Sequence, residues 1–358
     1  MLIKKIAVLC NYELLPTRVG GMDYFFWLFD EKCKGNNVEI DWFFPNKSSH
    51  GNYQRLKIVD CNYQNSEVFF ATYLQNKTTD YTHIITHFVE LCTPVFKKIS
   101  QLSEAKIIAV DHNPRPLNGY PLKKRIIKKI KGMLYSKYID VFVGVSQYTV
   151  NEISSDFGNH LKTKTLTIYN GVVINNIIKR EKRNFKKPTF LVASHLRESK
   201  GIQDLITSVS FLPNVIKNEL IIDVYGDGPY KHVLLENIKY LQVEKNFNFK
   251  GSKSNLKDIF HQYDYMIQPT HMECFSLSIL ESLAANVPVI TTNVGGNEEV
   301  ITHLENGFIF PAKNTMALKE LLEEIITANK VINLDTRDLI EHHFSLDKMV
   351  ENHFKIIK

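Results

Sequence analysis

A chain of 358 residues is too long for one ordinary core and suits two domains. Its 44% hydrophobic and 23% charged residues are those of a soluble globular protein. The formal charge of +6 is uneven: Met1 to Lys187 carries 28 Lys and Arg against 16 Asp and Glu, a net +12, whereas Pro188 to Lys358 carries 16 against 22, a net −6. The two halves therefore differ in electrostatic character and are expected to meet different partners. Five cysteines (Cys10, Cys33, Cys61, Cys92 and Cys274) include no C-x-x-C pair, which speaks against a disulfide framework or a zinc site and for a reducing cytoplasm.

The N-terminal "MLIKKIAVLCNYELL" has too short an apolar run and no cleavage site for a signal peptide, and reads as a first strand. No stretch approaches 18 apolar residues, so nothing is expected to span a membrane. A helix, "GMDYFFWLFDEKCKG", closes at Gly35. The strands "EIDWFFP", "YTHIITHF", "KIIAVDHN" and "DVFVGVS" follow, with the helical "YPLKKRIIKKIKGMLYSKY" before the last of them. The strands are short, rich in Val, Ile and Phe, and continuous rather than alternating, as in a parallel sheet buried on both faces. This first domain is expected over residues 1–174. Residues 175–187 are polar, basic and without a core pattern, and read as a linker. From Pro188 the alternation restarts with "TFLVASH", "GIQDLITSVSFL" and "ELIIDVYGDGP" and runs to 343, a second doubly wound α/β domain.

Ligands of parallel α/β domains bind beyond the carboxyl ends of the strands. "SHLRESKG" occupies such a position after the first strand of the second domain. Arg197 would reach a phosphate with a bidentate fork and Lys200 as a point charge; a solvated charged loop is the plain alternative. In "HMECFSLSILESLAANVPVITTNVGGNEEV", Glu273 and Glu281 are spaced as Glu-x7-Glu at a helix start. Eight helical residues span about 12 Å, wider than the roughly 5 Å carboxylate pair of a retaining glycosidase. Two separate tasks beside an anion bound at the helix N-terminus fit better, against exposed glutamates on an amphipathic helix.

In the first domain, Gly20 and Gly21 precede a helix and would let backbone amides approach a phosphate, or simply make a tight turn. His87 and His112 end strands on the same side, with Asp111 and Arg115 as neighbours in the chain. "LKKRIIKKIKGMLYSK" puts Leu122, Ile126, Ile130 and Met133 on one stripe and Lys123, Lys124, Lys128 and Lys129 largely elsewhere. Such a basic amphipathic helix suits an anionic membrane surface, or a packed helix with a solvated face. No recognition motif supports nucleic acid.

Together, "SHLRESKG", "YGDGP", "ECFSLSILE", "PVITT" and "GGNEEVI" resemble the retaining family-4 glycosyltransferases of the GT-B fold. Their pattern is a Gly-Arg-Leu-x-x-x-Lys-Gly loop, a Gly-Asp-Gly-Pro turn, and a Glu-x7-Glu helix followed by a Pro-Val-Ile strand and a Gly-Gly loop. "IYNGV" and "VFVGVSQYT" resemble first-domain segments, and "HFSLDKMVENHFKII" resembles the terminal helix (344–358) that returns to the first domain. The likeness covers nearly the whole chain and is tighter in the second half. It implies two Rossmann-like domains facing across a cleft, with the acceptor on the first and the nucleotide-sugar donor on the second.

It implies roles by residue. Lys200 would bind the donor diphosphate, Glu281 the ribose and Glu273 the donor sugar near its reacting face. Backbone at Cys274, Phe275, Ser276 and Leu277 would approach sugar and phosphate. Phe249, Lys250 and Gly251 would border the base, Gly20 and Gly21 would close over the phosphates, and His87 or His112 would serve near acceptor and sugar. One departure is plain: aligned on Lys200 and Gly201, the family's arginine position holds His195. Arginine is always charged and His195 only partly so at neutral pH. Arg197 with Lys200 is therefore the expected cationic pair for a leaving diphosphate, with His195 orienting the loop or touching the acceptor side.

The activity implied is metal-independent, retaining sugar transfer from a UDP- or GDP-sugar to a glycan or lipid-linked acceptor. No Asp-x-Asp motif occurs, and no cofactor is expected. The setting would be surface polysaccharide, lipopolysaccharide or glycolipid assembly, in the cytoplasm or on the inner face of the membrane. A nucleotide-sugar epimerase of the same architecture and a non-catalytic nucleotide-sugar or membrane-binding protein are the other readings.

Overall fold

The apolar run after Lys5 forms strand β1 (Lys4–Cys10), whose last five residues are buried. It opens a computed structural model that describes residues 4–358 except 18, 78 and 254. The described residues fall into two compact units, one reaching Gly171 and including Leu346–Lys358, the other Val172–Ser345.

In the first unit β1 is followed by α1 (Gly21–Lys34), β2 (Val38–Phe44), β3 (Ile58–Asp60), α2 (Ser66–Asn76), β4 (His83–His87), α3 (Pro94–Leu102), β5 (Lys106–Asp111), α4 (Leu122–Tyr135), β6 (Val141–Gly144), α5 (Gln147–Phe157) and β7 (Thr165–Thr167). The strands form one seven-stranded sheet in the order β3-β2-β1-β4-β5-β6-β7, and every pairing is parallel. Local signals place the helices. Pro94 opens α3, where its missing N–H costs nothing. Ser146 caps α5 by accepting from the Thr149 amide.

The second unit contains β8 (Phe190–Ala193), α6 (Ile202–Ser210), α7 (Asn214–Lys217), β9 (Ile222–Tyr225), α8 (Lys231–Tyr240), β10 (Phe247–Gly251), β11 (Tyr265–Gln268), α9 (Leu277–Ala284), β12 (Val289–Thr292), β13 (Gly307–Phe310), α10 (Thr315–Ile326) and α11 (Arg337–His343). Its six parallel strands run in the order β10-β9-β8-β11-β12-β13. The core lies between sheet and helices, with Val192, Leu205, Val224, Ile267, Ile290 and Leu322 all buried. Both units are thus Rossmann-like α/β domains. In each, the connections reverse direction between the first strand and its central neighbour: β1/β4 in one, β8/β11 in the other. A crevice opens at that reversal, beyond the carboxyl ends of the strands.

The last helix, α12 (Leu346–Lys355), buries Leu346, Met349, Val350, His353 and Phe354, positions three and four apart on one face. It packs on α1, and burying each apolar side chain stabilises that contact by roughly 1.5–3 kcal/mol.

The observed division differs from the expected one at residues 175–187. That segment belongs to the second unit and packs on it. Ile177 is buried, Arg180 reaches Asp264 at 2.5 Å and the His261 carbonyl at 2.8 Å, and Arg183 bonds the carbonyls of Ile332 and Asn286. It lacks a hydrophobic period because its arginines satisfy carbonyls instead of filling a core.

Candidate functional site

In the second unit, four segments converge at the β8/β11 reversal. After β8 the chain turns through Ser194–Gly201. Leu196 is fully buried; its amide donates to the Asp227 carbonyl and its carbonyl accepts from the Tyr230 amide. His195 and Arg197, on either side, are exposed. The loop is then docked onto the segment after β11. The Ser199 carbonyl accepts from the His271 amide at 2.8 Å and from Thr270 Oγ1 at 3.2 Å, and His271 Nε2 lies 2.5 Å from Asp204 of α6. Gly201 is left-handed, and a Cβ there would stand 1.8 Å from the Pro269 carbonyl oxygen. Only glycine permits that approach.

The docking brings Lys200 Nζ to 2.8 Å from Glu273 Oε2, both side chains largely buried. Glu273 Oε1 also accepts from the Cys274 amide at 3.1 Å. Gly295 presses on the same turn: it is left-handed, a Cβ there would lie 2.1 Å from the Glu273 carbonyl, and the Gly296 amide donates to the Cys274 carbonyl. Ser276 caps α9, accepting from the Ile279 amide and from Gln268 Nε2 at 3.0 Å. Phe275 is buried, and Leu277 is the first helical residue. Two orphaned atoms sit at this end of the sheet. Ser194 Oγ after β8 and Gln268 Oε1 at the end of β11 are buried without a hydrogen-bond partner among the described residues. Orphans of this kind mark places where water or a ligand completes the bonding.

Glu281 lies inside α9 and is half-buried. Burial pushes its carboxyl up to about 7, with Lys257 pulling the other way. Phe249 packs on the core edge, Lys250 is 3.6 Å from Asp223, and Gly251 is left-handed with open space where a side chain would stand. Among the described residues, no group of three or more His, Cys, Asp or Glu is placed to hold a metal.

The structure thus brings together Lys200, Glu273, Cys274, Ser276 and the glycine loop. Arg197 and His195 both stand exposed on the loop, and the Arg197 side chain makes no hydrogen bond or ion pair among the described residues. The His271–Asp204 pair went unassigned in the sequence reading, although "HMECF" begins at His271. The signal is tertiary, since Asp204 lies 67 residues away.

In the first unit, Gly20 is the N-cap of α1. Its amide donates to Asp23 Oδ2 at 2.9 Å, as does Tyr12 Oη, while Tyr53 Oη donates to Asp23 Oδ1 at 2.5 Å. A buried carboxylate with three donors therefore fixes the entry to Gly20–Gly21. At the neighbouring strand ends, His87 Nδ1 lies 3.0 Å from His112 Nε2, so the two imidazoles share one proton between those nitrogens. A third histidine, His353 of α12, lies nearby with its ring tilted and its centroid 5.8 Å from that of His87. Burial pushes His87 well below the usual histidine range, His112 to about 3 and His353 to about 4. Asp111 and Arg115 are paired at 2.8 Å, and Arg115 Nε also reaches Asp156 at 2.9 Å, a structural ion-pair network.

Helix α4 buries only Gly132. Its apolar stripe faces outward, with Leu122 71% and Met133 67% exposed, alongside Ile126, Ile130 and Leu134. Lys123, Lys124 and Lys129 are exposed on the same helix. Lys128 departs from the expectation of a membrane-facing cation. It is tucked against Asp156 at 3.0 Å and over the Phe157 ring, because α4 rests on α5 through this side chain. No helix among the described residues is long and apolar enough to cross a membrane.

Residues 173–338 match the family model described as "Glycosyl transferases group 1". The chain is 26% identical over 227 residues, 60% of its own length and 58% of the relative's, to N-acetyl-alpha-D-glucosaminyl L-malate synthase of Bacillus anthracis. It spans about half the length of the curated relatives it matches. Among solved structures it is similar to a glycosyltransferase from Rickettsia africae, with a TM-score of 0.74 at 16% identity over 99% of this chain and 97% of that one. It is equally similar to Anabaena HepE in complex with UDP and glucose, with a TM-score of 0.74 at 14% identity over 99% of both chains. At these identities the likeness shows the fold: α/β, with the two parallel-sheet, Rossmann-like domains of GT-B glycosyltransferases.

Proposed function

From the match of residues 173–338 to the glycosyl transferases group 1 family, we propose that this chain moves a sugar from a nucleoside diphosphate donor to an acceptor hydroxyl, with the anomeric configuration retained. The observation that carries the reading is the Lys200–Glu273 pair at the β8/β11 reversal, beside the capped N-terminus of α9. Lys200 and the α9 amides take the diphosphate charge and Glu273 meets the sugar. Glu281 takes the ribose, and Phe249, Lys250 and Gly251 border the base. Arg197, whose side chain has no hydrogen bond or ion pair among the described residues, supplies the second cation, with no metal or cofactor in the reaction. UDP in HepE supports a uridine donor. Half-buried His112 is the histidine offered to an acceptor on the first domain, and His87, buried behind it, acts only through their shared hydrogen bond. Gly20–Gly21 close on the phosphates. The sequence resemblance is what suggests a glycan or lipid-linked acceptor in surface-glycan assembly; the named relative, an L-malate synthase, uses a small-molecule acceptor.

A thermal-shift series with UDP-glucose, UDP-N-acetylglucosamine, GDP-mannose and ADP-glucose tests the donor site. A donor at 100 times its Kd stabilises by about 2.7 kcal/mol, and no shift with any of the four would sink the reading. Donor consumption without acceptor would turn it toward an epimerase. The donor site also has a pH signature. Ionised Glu281 accepts two ribose hydroxyls and the protonated form does so less well, so UDP-sugar affinity should rise as pH increases through about 7. Glu281→Gln should flatten that rise, measured by calorimetric titration at pH 6 to 8.

The outward stripe of α4, flanked by Lys123, Lys124 and Lys129, supports peripheral docking on the anionic cytoplasmic face of a membrane. Sedimentation with anionic phosphatidylglycerol vesicles should bring down the chain. Ile126→Asp with Ile130→Asp should abolish that, and Lys-to-Glu changes at 123, 124 and 129 should weaken it by about 1 kcal/mol each. Unchanged sedimentation in both sets would remove the idea.

A further inference from the structure

We infer that Arg115 is a positioning residue for His112: its guanidinium locks the turn 111–113 and so fixes the angle at which that imidazole is presented beyond β5. This rests on the reading of the chain as a sugar-transferring enzyme with His112 offered to the acceptor, and adds the residue that holds the histidine in place.

His87 and His112 are held in different ways. His87 is the last residue of β4, and its backbone is paired on both sides, opposite Cys10 of β1 and Val110 of β5. His112 lies one residue past the end of β5, so no strand pairing fixes its backbone. Its ring is restrained by the bond to His87 at 3.0 Å and by Phe88, stacked with centroids 4.3 Å apart. Those contacts orient the imidazole only as long as the turn beneath it keeps one shape.

Arg115 imposes that shape. Its Nη2 donates to Asp111 Oδ2 at 2.8 Å and its Nη1 to the Asn113 carbonyl, so one guanidinium grips the residues on both sides of His112. Its Nε donates to Asp156 Oδ2 of α5 at 2.9 Å, which ties the turn to the body of the domain. Asp111 Oδ1 closes the same turn by accepting from the Asn113 amide and from Asn113 Nδ2, both at 3.0 Å. Pro114 and Pro116 flank the arginine and fix φ on either side of it. A planar fork with donors in set directions can hold three acceptors at once, and a lysine ammonium cannot reproduce it.

Burial points to geometry rather than stability as the contribution of this network. Arg115, Asp111 and Asp156 are 4%, 1% and 7% exposed. Taking such charges out of water offsets most of their attraction, and apolar side chains of similar volume would stabilise the domain as well or better. Lys128 also reaches Asp156, at 3.0 Å, so the two carboxylates face two cations. What apolar packing would not supply is a turn clamped at both neighbours of the histidine.

The test uses the full chain labelled with 15N-histidine, and UDP-glucose and UDP-N-acetylglucosamine as donors with water as the acceptor. NMR of the wild type should show one protonated and one bare nitrogen across the His87–His112 bond, with a coupling between them. Arg115→Lys should lose that coupling and lower kcat for UDP release by about 100-fold, the cost of a misplacement of roughly 1 Å, with KM for the UDP-sugar unchanged. Asn113→Ala, at an exposed position, loosens the same turn without touching the core and should move both readouts the same way by less. Lys128→Met removes the other cation from Asp156 and leaves the turn alone, so coupling and rate should stay at wild-type values. No coupling in the wild type, wild-type values in Arg115→Lys, or an equal loss in Lys128→Met overturns the positioning role. If the wild type releases no UDP and UDP-sugars fail to stabilise it, the transferase reading fails instead, and the coupling alone decides the role of Arg115.

Discussion

Glu273→Gln should bind a UDP-sugar more tightly than the wild type and transfer its sugar about 100- to 1000-fold more slowly. The opposite signs follow from the geometry. Lys200 Nζ is paired with Glu273 Oε2 at 2.8 Å. An incoming diphosphate must draw that lysine away and settle beside the remaining carboxylate. Glutamine keeps the shape, releases the lysine and removes the like charge, so ground-state affinity improves. The carboxylate is then missing where the sugar develops positive charge, so the transition state loses its counter-charge. Lys200→Ala should lower both quantities, with donor affinity falling by roughly 1.5–3 kcal/mol, the range for a hydrogen bond to a charged group. Calorimetry for affinity and single-turnover transfer for rate separate the two. Parallel losses in both variants would mean that the pair only holds the loop in place.

The second large effect is acid lability of the first domain. His87 and His353 are buried and His112, half-buried, is bonded to His87; each has a native pKa below its unfolded value near 6.5, with His112 at about 3 and His353 at about 4. Between those limits the unfolded chain binds more protons than the native one. Stability therefore rises with pH across that window, is complete above about pH 6.5, and is lost as pH falls toward 4. Each histidine contributes about 1.4 kcal/mol per pH unit. At pH 5 the three should cost roughly 4–6 kcal/mol, comparable with the whole stability of an ordinary domain. Hydrogen exchange of α1, β4 and α12 at pH 8, 6 and 5 would show the loss directly. His353→Leu keeps the ring site apolar among Phe25 and Phe29, and should recover roughly 2 kcal/mol of the loss at pH 5. An identical pH profile in that variant would refute the assignment. His83, pushed to about 4 at the opposite end of β4, adds to the same trend and leaves the comparison unaffected.

Much of this fold was legible in the chain because continuous Val, Ile and Phe runs bounded by polar turns can be satisfied only inside a parallel sheet. Lys200, Glu273 and the capped α9 were legible for a similar reason: glycines, a helix start and charges at fixed spacing are local features. The basic segment at 175–187 was misread as a linker because its order depends on carbonyls supplied from residues 261, 286 and 332. Lys128 was misread because helical periodicity places a side chain on a face but does not say that Asp156 waits there. His353 and Asp23 had no signal at all, since each acts through partners distant in the chain.

The sequence by itself determined the two α/β domains, their strand ends, and the identity of the charged residues available there, because periodicity and turn chemistry are short-range. Only the tertiary structure decided which of those residues meet. Lys200 faces Glu273 because the His271 amide and Asp204 dock two loops whose sequences are silent about each other. Buried His87 and His353 and half-buried His112 become one neutral cluster because α12 packs on α1. The rings of Tyr12, Phe88 and His112 meet because their strands are neighbours in the sheet. Contacts of that kind are set by burial and strand order over long separations, which local residue patterns cannot encode.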